Sequence, residues 1–305
     1  MKEAQKKALA HIAAGGLYLD QPLAKYTTIG IGGPAACLYE PSDIRSLSSV
    51  LAFLNRESIQ YLVIGNGSNL LITDRGFDGV AVVIGRGFSG FAFEEDPKGL
   101  FLTAGAGLPI SSLVSGCSAE GFSGLEFLAW IPGTAGGAVA MNAGAFGHET
   151  AEAVREVHAL SPGGDLVVFD KSSLSFGYRC SDITPGTVIA SVVFDVKRAR
   201  HEDVAGAVAH YGGLRRRRQP LGMRSAGSVF KNPPGRYAGE LIEVAGLKGK
   251  RIGGAMISDV HANFIVNTGG AGSDDVLRLV ELAKRKVYQA AGIELELEIR
   301  VVGER

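Results

Sequence analysis

The chain has 305 residues, 46% of them hydrophobic and 20% charged, so it can bury a large core and is expected to divide into two or three domains. Lys plus Arg and Asp plus Glu both number 31, which leaves no global field to attract nucleic acid or an anionic membrane. Three widely spaced cysteines argue against a zinc site or a disulfide framework, and no apolar run is long enough to span a membrane. These features predict a cytoplasmic protein that binds no metal, nucleic acid or membrane.

Residues 1–85 are predicted to alternate between helices and strands. A short amphipathic helix and a connector occupy the first 25 residues. Ser42 is the predicted N-cap of a helix whose apolar face extends to Leu54. Strands are predicted at 61–65 and 80–84, and the first of them leads directly into the loop GNGSN.

Residues 86–200 are predicted to form a second α+β unit, and residues 201–298 a third. The second unit has strands near 91–94, 100–104, 156–160, 165–169 and 187–196, with helices near 109–120 and 137–142. The third has helices at 202–218, 237–245 and 273–291, the last capped by Ser273, and a strand NFIVN. The final segment, IELELEIRVV, alternates strictly between apolar and charged residues and is predicted to be a strand.

Glycine is concentrated between Gly124 and Gly147, in GLEFLAWIPGTAGGAVAMNAGAFG. Such density indicates backbone in left-handed conformations, or backbone approached closely by a partner that a side chain would block. Two explanations stay open from spacing alone: tight turns between packed strands, or a flat or polyphosphate ligand lying against the main chain. GNGSN is open to the same two explanations, because successive N–H groups of a glycine-rich loop can hold a pyrophosphate.

Several polar residues are each open to a structural and a chemical explanation. Arg179 in FGYRCS fits a structural ion pair or a carboxylate clamp. Ser228 in SAGSVFKNP fits a turn, and Glu298 fits the solvent face of the last strand. His261 fits a hydrogen-bonded histidine better than a metal ligand, and the run Arg215–Arg218 fits a solvated helix end or a contact to a substrate phosphate.

Seven segments in register resemble one family, that of the UDP-N-acetylenolpyruvoylglucosamine reductases. They are TTIGIGGPA, IGNGSNLL, GLEFLAWIPGTAGGAVAMNAGAFG, YRCS, AGSVFKNP, AGLKGKRIGGAMISDVHANFIVN and ELEIRVVGE. Little sequence separates YRCS from the strand at 187–196, so the chain is similar to the shorter subtype, which lacks a tyrosine-bearing insertion.

The resemblance implies an α+β fold: two subdomains, 1–85 and 86–200, that bind FAD non-covalently as in the vanillyl-alcohol-oxidase (PCMH) type. A C-terminal α/β substrate-binding domain, 201–298, follows, and a last strand, 299–305, joins the first subdomain. The positions that match the family's FAD-binding motifs are Gly65, Asn66, Gly67, Ser68, Asn69, Ile131, Pro132, Gly133, Thr134, Gly136, Gly137, Ala138, Asn142, Gly144 and Ala145.

The resemblance also assigns chemical roles. Arg179, Ser228 and Glu298 match the catalytic positions. Five further positions are expected to contact the substrate: Tyr178, Arg218, Asn232, His261 and Asn263. Arg218 stands where the family commonly has a lysine that meets the substrate diphosphate.

The implied reaction is the NADPH-dependent reduction of UDP-N-acetylglucosamine enolpyruvate to UDP-N-acetylmuramate for peptidoglycan, by a monomer or weak homo-oligomer. Ser228 is expected to supply the proton to C2 of the enolpyruvyl group. Two alternatives remain: another FAD-dependent oxidase or dehydrogenase on the same scaffold, and a flavin-binding module without catalysis.

Overall fold

The computed structural model describes residues 1–303 and divides into two compact units. The first contains residues 1–19, 36–66 and 79–214, and the second contains residues 20–35, 67–78 and the chain from 215 onward. The three-part division expected from the sequence stays a prediction, and Glu304 and Arg305 of its last strand lie outside the described residues.

Seven α-helices and twenty-one strands are present among the described residues. The helices are α1 (Glu3–Ile12), α2 (Ile44–Arg56), α3 (Ile110–Glu120), α4 (Ala135–Ala140), α5 (His201–Arg218), α6 (Ala238–Val244) and α7 (Ser273–Ala291). The strands are β1 (Gly15–Pro22), β2 (Pro34–Pro41), β3 (Tyr61–Ile64), β4 (Leu70–Ile72), β5 (Phe77–Val83), β6 (Phe91–Asp96), β7 (Gly99–Gly105), β8 (Phe122–Ser123), β9 (Gly144–Ala145), β10 (His148–Glu149), β11 (Val154–Leu160), β12 (Leu166–Asp170), β13 (Phe176–Gly177), β14 (Cys180–Ser181), β15 (Val188–Asp195), β16 (Lys197–Arg198), β17 (Arg224–Ser228), β18 (Arg251–Ile252), β19 (Ala255–Ile257), β20 (Phe264–Asn267) and β21 (Arg300–Val302).

The first unit is built around an antiparallel sheet in the order β12-β11-β15-β7-β6. Strand β3 pairs in parallel with residues 80–83 of β5 in the same unit, and the paired residues are all hydrophobic. Helix α2 buries the predicted stripe from Leu47 to Leu54 in this core, whereas Ile44, predicted to lie on the same face, is exposed. Its N-cap, however, is Asp43 and not Ser42: Asp43 Oδ1 accepts the Ser46 N–H at 2.8 Å, and Ser46 Oγ accepts the Asp43 N–H at 3.3 Å.

The second unit is built around a sheet in the order β17-β20-β19-β18, with α6 and α7 contributing to its core. Helix α7 buries its apolar stripe as predicted and ends at Gly292, which has a left-handed φ of 67°. Its N-cap is Gly272. Ser273 is the first helical residue, and its N–H and its Oγ both donate hydrogen bonds to Asp74 Oδ2, at 2.8 and 3.0 Å.

The last segment has the predicted alternation but little of the predicted strand. Leu295 and Ile299 are buried while Glu294 and Glu296 are exposed. Regular pairing is confined to β21, which runs parallel to β4. Before it, an isolated bridge joins Leu297 to Phe230, because no neighbouring strand follows this segment over its whole length.

Candidate active site

Left-handed backbone at residues other than glycine is concentrated in one part of the first unit. The described residues with this conformation are Asp20, Ser58, Trp130, Asn142, Phe146 and Arg179. Four of them fall in the glycine-rich stretch or in the YRCS segment. Each such residue costs of order 1–3 kcal/mol, and such residues cluster at functional sites where the surroundings hold them in place. These two segments are therefore the candidate site of the first unit.

The end of β3 meets the start of α4. Thr134 caps α4, and its Oγ1 accepts the Gly137 N–H at 3.3 Å. A Cβ added to Gly65 would lie 2.6 Å from that same Oγ1. Glycine at position 65 therefore allows the two glycine-rich loops of the first unit to pack closely against each other.

Gly136 and Gly137 have different surroundings. The Gly136 N–H donates to Ala106 O at 2.9 Å, and an added Cβ would lie 2.7 Å from the Ala106 Cβ. Gly136 is therefore required for packing whether or not a ligand binds. Gly137 is exposed, and the nearest atom to an added Cβ is Thr134 Oγ1 at 3.4 Å.

Asn142 is fully buried and ties the glycine-rich stretch to its neighbours. Its Nδ2 donates to Glu149 Oε2 at 2.8 Å and to Gly177 O at 3.0 Å, and its Oδ1 accepts the Ala151 N–H at 3.0 Å. The side chain has no exposed surface, and its three hydrogen bonds hold the loop to its neighbours, while its contact with a cofactor stays a prediction.

Tyr178 and Arg179 form the two-residue turn of the hairpin β13–β14. Arg179 has a φ of 61°, at a position where glycine or asparagine is usual. Its Nη2 donates to Gly144 O at 3.2 Å, and its guanidinium carbon lies 4.9 Å from the centre of the Tyr178 ring. The structure thus brings Arg179 together with the stretch that contains Asn142, Gly144 and Ala145.

In the second unit, the remainder of GNGSN contacts the segment that contains Glu298. Gly67 has a φ of 62°, and an added Cβ would overlap the Tyr26 carbonyl oxygen, so glycine is required there. Asn69 Nδ2 donates to Glu298 O at 3.0 Å, and the Arg300 N–H donates to Asn69 O at 2.9 Å. A predicted cofactor residue is therefore bonded to the backbone of a predicted catalytic residue.

Ser228 and Glu298 lie on neighbouring segments of the second unit. Ser228 ends β17, after an irregularity in its pairing with β20 and after Gly227, whose φ is 76°. The Glu298 N–H donates to Val229 O at 2.8 Å. Glu298 is half-buried, unlike Glu294 and Glu296. Arg179 belongs to the first unit, so the three predicted catalytic residues are divided between the units.

The five predicted substrate residues have different environments. Tyr178, Arg218 and Asn232 are exposed. Asn232 Oδ1 accepts the Ala238 N–H at the start of α6 at 3.0 Å. His261 is half-buried, whereas Asn263 is 4% exposed and bonds the main chain of Phe230 through both polar atoms of its side chain.

His261 is held as a neutral imidazole. Its Nδ1 accepts the Asn263 N–H at 3.1 Å, which requires that nitrogen to be unprotonated. Burial lowers the pKa of His261 below its ordinary value, Lys248 lowers it further, and Glu243 opposes them. No group of three potential metal ligands occurs among residues 1–303, and none of the helices described is both long and apolar enough to cross a membrane.

The sequence interpretation missed an aromatic group beside the glycine-rich stretch. Phe146 stacks on Tyr211 of α5 with ring centres 5.3 Å apart. Trp130 is 52% exposed and lies against Gly212 of the same helix, where an added Cβ would be 2.6 Å from its Nε1. The only signal in the sequence is the pair Gly212-Gly213 inside a helix, which indicates close approach of another group.

Two family descriptions match the chain. Residues 34–170 match "FAD binding domain", and residues 219–302 match "UDP-N-acetylenolpyruvoylglucosamine reductase, C-terminal domain". The UDP-N-acetylenolpyruvoylglucosamine reductase of Syntrophus aciditrophicus is 41% identical over 300 residues, which are 98% of this chain and 96% of that protein. The enzyme of the same name from Alkaliphilus oremlandii is 39% identical, over 98% of this chain and 97% of its own length.

Solved structures agree with this likeness. The crystal structure of UDP-N-acetylenolpyruvylglucosamine reductase from Thermus caldophilus matches with a TM-score of 0.79 and 39% identity, over 94% of this chain and 98% of that one. A Phl p 4 variant described as a glucose oxidase matches with a TM-score of 0.50 at 13% identity, over 65% of this chain and 45% of its own, and shows the fold alone. The predicted fold class, an FAD-binding fold of the PCMH type followed by a C-terminal domain, is confirmed.

Proposed function

Because the chain belongs to the UDP-N-acetylenolpyruvoylglucosamine reductase family, whose members are FAD-dependent oxidoreductases, we propose that it uses NADPH to reduce UDP-N-acetylglucosamine enolpyruvate to UDP-N-acetylmuramate. The product would serve peptidoglycan synthesis in the cytoplasm. The observation that carries the proposal is 41% identity over 98% of the chain to an enzyme of that name.

The first unit fits FAD on one structural observation. The main chain at Gly137, at the start of α4, is exposed, and the nearest atom to an added Cβ there is Thr134 Oγ1 at 3.4 Å, so a ligand can lie against the backbone. Residues of Ile131–Ala138 and the exposed Asn66 would hold the cofactor, while Gly136 and Asn142 would maintain the loops. When bound, FAD would accept a hydride from NADPH and deliver one to C3 of the enolpyruvyl group.

Arg179 would stabilise the charge that develops during the reduction. Hydride addition at C3 moves negative charge toward C2 and the substrate carboxylate, and a guanidinium can bind that carboxylate through two parallel hydrogen bonds. The left-handed turn and the bond to Gly144 O hold Arg179 in a defined place before substrate arrives. Such preorganisation avoids reorganisation cost during the reaction.

Ser228 would complete the reduction by transferring its Oγ proton to C2. A serine hydroxyl is a weak acid, so the transfer depends on position, and the alkoxide would regain a proton from Glu298 or water. The bond from the Glu298 N–H to Val229 O supports this pairing, because it joins the segments that contain the two residues.

Ser228→Ala tests the assignment. We expect the variant to reduce its flavin with NADPH at nearly the wild-type rate, and to reoxidise with the enolpyruvyl substrate about 10²–10⁴-fold more slowly, the usual contribution of a general acid. Anaerobic stopped-flow absorbance separates the two steps. Ser225→Ala, on the same strand, is the control. Equal loss in both steps would contradict the role of Ser228.

The same experiment on the wild-type protein separates the two alternative functions. Bleaching of the yellow cofactor by NADPH, followed by recovery of colour with the enolpyruvyl substrate, is the expected result. Bleaching without recovery would favour a different flavin dehydrogenase, and absence of bleaching would favour a flavin-binding module without catalysis.

A further inference from the structure

The side chain of Asn263 is an internal partner for the segment that follows Ser228. Asn263 Oδ1 accepts the Phe230 N–H at 2.9 Å, and its Nδ2 donates to Phe230 O at 2.8 Å. The Asn263 carbonyl accepts the Val229 N–H at 2.8 Å. One buried asparagine therefore makes three hydrogen bonds to two consecutive residues.

This partner is needed because the chain leaves its sheet at Ser228. The pairing of β17 with β20 is irregular between Ser225 and Ser228. Val229 and Phe230, which follow Ser228, are buried, so their main-chain polar groups need partners inside the protein. A carboxamide offers one donor and one acceptor side by side, as the edge of a β-strand does.

The same segment also positions Glu298. The Val229 N–H donates to Asn263 O, and the Val229 carbonyl oxygen accepts the Glu298 N–H. The carbonyl oxygen of Glu298 in turn accepts a hydrogen bond from Asn69 Nδ2. A displacement of Val229–Phe230 would therefore move the backbone of Ser228, which precedes this segment, and the backbone of Glu298, which is hydrogen-bonded to it.

We propose that Asn263 is a positioning residue for the protonation step, which it controls by fixing the Val229–Phe230 backbone between Ser228 and Glu298. The inference rests on the proposed function, since it takes Ser228 as the proton donor. It gives Asn263 a role through the protein backbone and not through contact with substrate.

Asn267 provides a matched control in the same unit. It also lies on β20, is 9% exposed and makes three hydrogen bonds through its side chain. Its Nδ2 donates to Ile29 O at 3.0 Å, and its Oδ1 accepts the N–H groups of Gly269 and Ala271 at 2.9 and 3.3 Å. These contacts do not involve the Ser228 segment.

The test compares Asn263→Ser with Asn267→Ser, and Asn263→Asp with Asn267→Asp, all assayed as flavin-loaded protein below their unfolding temperatures. For the Asn263 variants we expect flavin reduction by NADPH within about twofold of wild type and reoxidation by the enolpyruvyl substrate slowed about 100-fold, as for a displacement of about 1 Å. Hydrogen exchange at the amides of 228–232, measured by mass spectrometry, should rise in the Asn263 variants alone.

The outcomes separate the inference from the function on which it rests. If Ser228→Ala does not slow reoxidation, the proposed role of Ser228 fails, and the positioning role fails with it. If Ser228→Ala slows reoxidation but the Asn263 variants do not, or if the Asn267 variants slow it equally, only the inference about Asn263 is overturned. Failure of both Asn263 variants to load flavin while both Asn267 variants do so would make Asn263 a folding determinant and would also overturn it.

Discussion

At the scale of single residues, Gly136 and Gly137 of α4 are predicted to matter for different reasons, the first for packing and the second for ligand binding. A side chain at Gly136 meets the Ala106 Cβ at 2.7 Å, whereas one at Gly137 has only the Thr134 hydroxyl at 3.4 Å. We expect Gly136→Ala to lower the free energy of unfolding by about 1–3 kcal/mol, the usual cost of overpacking. Gly137→Ala should keep or raise stability by about 0.5–1 kcal/mol, because alanine is the better helix former.

Flavin content completes this prediction. Gly137 is exposed in the stretch proposed to hold FAD, so Gly137→Ala, and more strongly Gly137→Val, should reduce the ratio of flavin to protein absorbance without unfolding the chain. Urea unfolding of the flavin-free variants gives the stabilities. Full flavin occupancy in Gly137→Val would show that the backbone at this position does not approach the cofactor.

His261 gives a prediction about pH. Its pKa is lowered in the folded protein, mainly by burial, so the unfolded chain binds a proton more readily. Stability therefore rises with pH in this range: the contribution of His261 is intact above its ordinary pKa of 6.5 and is lost as pH falls from there through the folded value. His261→Asn should flatten the dependence of the urea midpoint on pH between about 7.5 and 5.

The catalytic candidates could not be chosen from local sequence. Glu298 follows Glu294 and Glu296 in the same alternation, and only the structure distinguishes it, as half-buried and bonded through its backbone to Val229 and Asn69. Those partners are 69 and 229 positions away from it in the chain. Hydrogen bonds over such separations leave no periodic signal, so resemblance to a family was the only route to these residues from sequence.

At the scale of elements, the hairpin turn at Tyr178 and Arg179 is predicted to hold the Arg179 guanidinium in place at a cost in folding stability. Arg179→Gly removes a left-handed strain of order 1–3 kcal/mol and also a hydrogen bond to Gly144 O worth about 1 kcal/mol, so stability should change by no more than about 1–2 kcal/mol. Reoxidation of reduced flavin by the enolpyruvyl substrate should nevertheless fall by at least about 100-fold, because the guanidinium is lost.

Ser58 is the matched control for the hairpin. It is also left-handed, with a φ of 53°, and it follows α2 outside the candidate site. Ser58→Gly should be neutral or stabilising and should leave both flavin half-reactions unchanged. A large loss of stability in Arg179→Gly, measured by urea unfolding, would mean that Arg179 is primarily structural.

Helices were predicted better than strands, and the reason is local. The stripes of α2 and α7 repeat along many residues and are visible in the sequence. The exact caps were wrong, because Ser42 and Asp43 are both good caps and the hydrogen bond to Ser46 decides between them. Strand β1 was missed, since its exposed and partly buried residues give no clear alternation. The last segment has the alternation of a strand but a regular partner only at β4.

At the scale of the whole molecule, both units are assembled from separate parts of the chain. The second takes residues 20–35 and 67–78 in addition to its C-terminal part. Local patterns cannot reveal this, because an apolar segment such as TTIGIGG gives no indication of which core it enters. Ile29 and Ile31 of that segment, and Leu71 of β4, are buried in the core of the second unit.

This organisation predicts that residues 215–305 do not fold alone, although they contain the whole C-terminal family match. Without the two preceding segments, the fragment loses Ile29, Ile31 and Leu71 from its core, which at roughly 1.5–3 kcal/mol each amounts to about 5–9 kcal/mol. It also loses β4, the partner of β21, and the bond from Asn267 to Ile29 O. Since a domain is stable by only about 5–15 kcal/mol, we expect no cooperative thermal transition by circular dichroism. In the intact chain, Ile29→Ala should cost about 2–5 kcal/mol for the same reason. A fragment that melts cooperatively would show that its core is sufficient without the N-terminal segments.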